Sequence, residues 1–111
     1  VTVVGDVVEA TRDDFRDLVA DGLVLVDVWG PWCARCLALM PHVDELAAQR
    51  DDLRVVKLEA PKARRLCMEL KLMGLPAFLL FAGGEEVSRI ADPNLTAQQL
   101  DSWLDESLAR A

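Results

Sequence analysis

Two of the chain's three cysteines, Cys33 and Cys36, stand one helical turn apart in Trp29-Gly30-Pro31-Trp32-Cys33-Ala34-Arg35-Cys36. A pair so spaced can hold a metal, staple a fold or exchange electrons. Cys33 follows an apolar run and a Gly-Pro turn. From it Cys36, Met40, Val43 and Ala47 recur at helical spacing, which predicts a helix to about Gln49. Cys33 therefore sits in that helix's first turn. The unpaired N–H groups and positive dipole end there favour a thiolate and lower the thiol pKa. The spacing also puts both sulfurs on one face with Cβ atoms roughly 5–6 Å apart, which a small adjustment brings to disulfide geometry. A reversible dithiol fits both facts.

The metal reading is weaker. A four-ligand zinc set would need Cys33, Cys36, Cys67 and His42, with none to spare. His42 lies six residues past Cys36, about 240° round the helix, so the two face apart. Cys67 falls on an apolar stripe with Ala63, Leu66 and Leu70, the usual place of a small core hydrophobe. Iron–sulfur ligation commonly takes four thiolates. No metal is expected, and His42 is read as a solvated residue without a role. Asp27 is the one carboxylate in the apolar run 23–29. Burial without a partner would raise its pKa and destabilise the fold, so its presence needs a reason.

The elements that must position these groups follow from periodicity. Residues 1–8 form a β-branched run read as a strand. Thr11 and Asp14 resemble a capping box before a helix with Phe15, Leu18 and Val19 on one face, stopping near Gly22. The run 23–29 suits a central strand buried on both faces. Pro41 falls inside the second helix and should kink it. Residues 54–58 read as a third strand, and Ala63, Leu66, Cys67 and Leu70 as one face of a third helix. Residues 77–82 and 86–90 flank Gly83-Gly84, a turn pair suited to a hairpin. Thr96 and Gln99 form a capping box before Leu100, Trp103, Leu104 and Leu108. The order is βαβαβαββα, an α/β fold with a mixed central sheet and helices on both faces. Helical crossovers predict parallel strands, and the hairpin adds an antiparallel pair.

Length and composition set the bounds. A chain of 111 residues, 52% hydrophobic and 28% charged, reads as one soluble globular domain over 1–111. Its formal net charge of −7 argues against non-specific nucleic-acid binding and against docking on anionic membranes. No apolar run approaches the ~18 residues needed to span a bilayer. The N-terminal stretch lacks the basic region of a secretory signal. Three cysteines are too few for a disulfide framework, so a reducing, cytoplasmic setting is expected. Nothing calls for a dimer, and a monomer is expected.

The chain resembles the thioredoxin family across nearly its whole length. The residues that carry the resemblance are VDVWGPWCARC at 26–36, Pro41, Lys57, GLPAF at 74–78, and the late hairpin with its terminal helix. The resemblance implies the thioredoxin fold and a thiol–disulfide oxidoreductase that reduces protein disulfides. It makes Cys33 the attacking thiolate, which forms a mixed disulfide, and Cys36 the resolving thiol. It makes Asp27 a proton relay for Cys36 through water, with Lys57 as its partner. Pro76 matches a cis-proline that faces the dithiol. The Leu75 backbone would then pair with an extended partner segment, and Trp32 would line the partner groove. The implied partners are disulfide-containing proteins. Electrons would come from a thioredoxin reductase and not from a bound cofactor.

The chain also departs from the family pattern. Its cysteines enclose Ala34-Arg35, where the commonest thioredoxin pair encloses Gly-Pro. A fixed positive charge about 7 Å from Cys33, at an effective dielectric of ~40–80, favours the thiolate by roughly 0.6–1.2 kcal/mol. That raises the potential by about 15–25 mV and predicts a somewhat more oxidising couple. Asp92-Pro93-Asn94 stands where a glycine is usual, and Leu37 where a basic residue often follows the second cysteine. Both bear on which reductase accepts the protein. Two other readings stay open. One is a specialised oxidase or isomerase serving one pathway, favoured by Arg35. The other is a non-catalytic binding module on the same scaffold.

Overall fold

A computed structural model of the chain describes residues 7–111. The expected first strand lies mostly outside the described residues. What is described begins with β1 (Val7–Ala10) and continues with α1 (Phe15–Leu18), β2 (Leu23–Trp29), α2 (Ala34–Gln49) and β3 (Leu53–Glu59). A 3-10 turn (Ala60–Lys62) leads into α3 (Arg64–Glu69), followed by β4 (Ala77–Ala82), β5 (Glu85–Ala91) and α4 (Ala97–Arg110). Among the described residues no helix is long and apolar enough to cross a membrane.

The strands form one five-stranded sheet in the order β1-β3-β2-β4-β5. β3 runs parallel to both β1 and β2, while β4 runs antiparallel to both β2 and β5. This corrects the expectation that every helical crossover returns a parallel strand. α2, with sixteen residues, rises about 24 Å, which matches a seven-residue strand of about 23 Å. It therefore carries the chain the full length of the sheet. α3 has six residues and rises only about 9 Å. The chain stays at the end where β3 finished, and β4 starts there, with Ala77 opposite Val28.

β2 is buried along Val24–Val28, as its unbroken apolar run requires. On one face Val24, Val26 and Val28 meet Phe15 and Val19, Leu66 of α3, and Phe81. Phe15 and Phe81 pack edge to face, with ring centroids 5.7 Å apart. On the other face Leu25, Val55, Phe78 and Leu80 meet Leu39 and Val43 of α2 and Leu100 and Leu104 of α4.

Local chemistry sets the boundaries. Thr11 and Asp14 exchange reciprocal bonds: the Thr11 N–H donates to Asp14 Oδ1 at 2.6 Å and the Asp14 N–H to Thr11 Oγ1 at 3.3 Å. Regular helix nevertheless ends at Leu18, short of the expected Gly22. Gly83 and Gly84 have φ of 59° and 87°, the two positive values that a type I′ hairpin turn needs. α4 opens on a complete capping box. The Gln99 N–H donates to Thr96 Oγ1 at 3.1 Å, and the Thr96 N–H donates to Gln99 Oε1 at 3.0 Å.

Candidate active site at the dithiol loop

β2 ends at Trp29, and the chain turns through Gly30, Pro31 and Trp32 into α2. The Cys33 N–H donates to the Gly30 carbonyl at 3.0 Å and closes that turn. Cys33 is the N-cap of α2, one position ahead of the expected first turn, and its Sγ accepts the Cys36 N–H at 3.1 Å. A sulfur that receives a helix N-terminal amide is stabilised as a thiolate. Cys33 and Cys36 are joined as a disulfide with Cα atoms 5.2 Å apart, inside the range such a bridge needs. The two sulfurs differ in depth. Cys33 is half-buried and Cys36 is 2% exposed. Ala34 and Arg35 both lie on the surface at the start of α2.

Trp32 is 67% exposed. Its indole lies against Gly30, where a Cβ would meet ring atoms at 3.0 Å. A side chain at position 30 would press on the exposed Trp32 ring, which would have to give way, a contact not visible in the sequence. Trp29 is half-buried, and its Nε1 is buried with no hydrogen-bond partner among the described residues. The Leu75–Pro76 peptide bond is cis. Pro76 is buried and its carbonyl accepts the Asp92 N–H at 3.4 Å. Leu75 is half-buried and precedes the ladder, which opens with Ala77 paired to Val28 and to Ala91.

Asp27 is 1% exposed, and neither carboxylate oxygen has a hydrogen-bond partner among the described residues. Loss of hydration pushes its pKa up to about 7, against the downward pull of the Lys57 charge and with help from Glu9 and Asp44. The expected Asp27–Lys57 contact is not made. Lys57 Nζ donates instead to Asp44 Oδ1 of α2 at 3.0 Å. Register places Asp27, Lys57 and Glu9 side by side across β2, β3 and β1. Lys57 thus acts on Asp27 through its field and not through a bond. Asp44 and Glu9 were missed in the sequence. A lysine within an apolar strand signals that a carboxylate is needed, but not which element supplies it.

The residues of the weighed zinc set are dispersed. His42 is half-buried, and its Nε2 lies 2.7 Å from Asp101 Oδ1, which ties α2 to α4. This corrects its reading as a solvated residue without a role. Cys67 packs against the face of the sheet that carries α1 and α3, away from α2, and burial pushes its thiol pKa up.

Over residues 6–106 the chain matches the family model described as Thioredoxin. The chain belongs to the thioredoxin family. It is 37% identical over 100 residues to a thioredoxin of Peptoclostridium acidaminophilum, covering 87% of this chain and 91% of the relative. To the chloroplastic thioredoxin Y1 of Arabidopsis thaliana it is 36% identical over 101 residues, covering 88% of this chain and 58% of that one. The crystal structure of the long form of spinach chloroplast thioredoxin f superposes with a TM-score of 0.84 at 26% identity, covering 98% of this chain and 90% of the other. As a member of this family with its Cys-x-x-Cys pair at bonding distance, the protein is a thiol–disulfide oxidoreductase that acts on protein disulfides.

Proposed function

We propose that the protein works as a disulfide reductase in which Cys33 attacks and Cys36 resolves. The Cys33 thiolate attacks one sulfur of a partner disulfide; the Cys33–partner bond forms and the partner's other sulfur leaves as a thiolate. Cys36, deprotonated, then attacks Cys33 Sγ, closes the Cys33–Cys36 bond and releases the second partner thiolate. Two electrons pass to the partner, and the dithiol of a thioredoxin reductase returns them. The observation that carries this order is the difference in depth: the half-buried sulfur capped by an amide meets partners first, and the 2% exposed one reaches only Cys33.

Asp27 takes up the proton of Cys36. A carboxyl with a pKa of about 7 is nearly half ionised at neutral pH and can both accept and return a proton. Trp32 and the Leu75 backbone, held by the cis bond to the buried Pro76, form the surface on which the partner strand lies, supported by the exposure of Trp32 and the unladdered Leu75. The setting is a reducing compartment such as the cytoplasm, where Cys67 stays a thiol, and the working form is a monomer.

Insulin-disulfide reduction tests the reading. The wild type reduces insulin with a reductase and NADPH, whereas Cys33→Ser does not, and Cys36→Ser accumulates mixed disulfides. Equal reduction by Cys33→Ser would refute it. The exposed Arg35 favours a second reading, a more oxidising enzyme that serves one pathway. Failure of the reductase to turn the protein over, with activity intact in dithiothreitol, would select that one.

A further inference from the structure

Five of the twelve cations of this acidic chain line one cleft. A cleft of about 610 Å³ between the α1 segment and α3 is lined by Arg12, Arg16, Lys62, Arg64 and Arg65, against only Asp13 and Glu69. All five cations are exposed. The cleft carries a local charge of +3 in a chain whose total is −7. Its own carboxylates neutralise little. Arg12 and Asp13 lie 3.7 Å apart, with side chains 74% and 86% exposed, and a pair that long and that wet is weak. Glu59, which lines the adjoining hollow and not the cleft, lies 3.5 Å from the Lys62 ammonium.

The position of the cleft ties it to the redox centre. Arg12 follows the end of β1, Lys62, Arg64 and Arg65 follow the end of β3, and Cys33 follows the end of β2. These three strands are parallel, so the cations and the dithiol emerge from the same end of the sheet. The cleft shares Arg12, Asp13, Lys62 and Ala63 with an adjoining hollow that is also lined by Trp29 and by Glu9 and Glu59, so the excess of positive charge lies on the α1–α3 side. Trp29 opens the loop that ends in Cys33. A partner held at Cys33 can therefore cross the hollow with a neighbouring segment and place acidic residues in the cleft beyond it.

We propose that the cleft docks an acidic segment of the disulfide-bearing partner protein, next to the disulfide that Cys33 opens. The inference rests on the reductase reading and names the class of partner. Charges of this kind act on encounter rate and on its salt dependence more than on the bound state. The sign is the informative part, because a chain of net charge −7 would by itself repel an acidic partner.

The test uses the full chain, pre-reduced, and two peptides that share one disulfide. One peptide carries a five-aspartate extension and the other a five-asparagine extension. At low salt the acidic peptide should be reduced about tenfold faster. Screening in about 0.5 M NaCl should shrink the advantage to less than about twofold. The Arg64→Ser/Arg65→Ser variant, and independently Arg16→Ser, should lose much of the preference while reducing the asparagine peptide at the wild-type rate. Equal or slower reduction of the acidic peptide at low salt would overturn the proposal, as would variants that slow both peptides alike. A single-stranded oligonucleotide that binds the cleft more tightly than the acidic peptide would overturn the choice of occupant. Failure of the wild type to reduce even the asparagine peptide would instead sink the reductase reading.

Discussion

Replacing Asp27 by asparagine keeps the shape of the side chain and removes its charge. The carboxyl is 1% exposed, unpaired, and raised by desolvation from 3.8 to about 7. Its pKa is therefore higher in the folded chain than in the unfolded one. Stability is fully present below about pH 4, where both states hold the proton. Between about pH 4 and 7 the native state binds the proton and the unfolded state does not. Stability then falls by about 1.4 kcal/mol per pH unit and levels off above the folded pKa. The accumulated loss is on the order of 4 kcal/mol by pH 8, a large share of the 5–15 kcal/mol that holds a typical domain. The variant has no such titration. Its buried amide brings a cost of about 1–3 kcal/mol for unmet hydrogen bonds, but that cost does not vary with pH. Titrations common to both proteins, including that of Glu9, largely cancel in the comparison. Urea unfolding of the disulfide-bonded forms from pH 4 to 8.5 should show Asp27→Asn gaining on the wild type as pH rises, by several kcal/mol in all. A difference that stays flat to within about 0.5 kcal/mol across that range would refute the buried, uncompensated carboxyl.

Three further outcomes are expected. Gly30→Ala would put a methyl group 3.0 Å from the Trp32 ring and displace it. Reduction of insulin should slow several-fold while alkylation of Cys33 by a small reagent keeps its rate; equal slowing of both would show that the loop itself had moved. Arg35→Ala should lower the potential by about 15–25 mV in a glutathione titration, and an unchanged value would make Arg35 a bystander. Thr96→Ala removes one half of the α4 capping box and should cost roughly 1 kcal/mol, read as a lower midpoint in urea with an unchanged slope.

What could be read in the sequence were the features written by neighbours along the chain. The run 23–29 announced a strand buried on both faces, Gly83-Gly84 a hairpin, Thr96 with Gln99 a helix start, and Cys33 with Cys36 a dithiol. Each depends on a few adjacent residues whose local physics has one good solution. The direction of β4 did not follow, because it depends on how far α3 carries the chain and not on α3 being helical. Side-chain partners were harder still. Lys57 turns to Asp44, and His42 meets Asp101 across 59 positions. The Ser88, Trp103 and Ser107 side chains join β5 to α4 in a small network. The basic cleft is built from cations at 12, 16, 62, 64 and 65, which look scattered until the parallel strands bring their ends together.

The order β1-β3-β2-β4-β5 has a mechanical outcome for the redox centre. The loop bearing Cys33 hangs from the middle strand, with two strands as a buffer on each side. Either rim of the sheet can breathe without slackening the anchor beneath the sulfur. Amides of β2 should then exchange with solvent only when the whole domain opens, while those of β1 and β5 exchange sooner. A partner can jostle the borders of the molecule during encounter, and the sulfur it came for holds still.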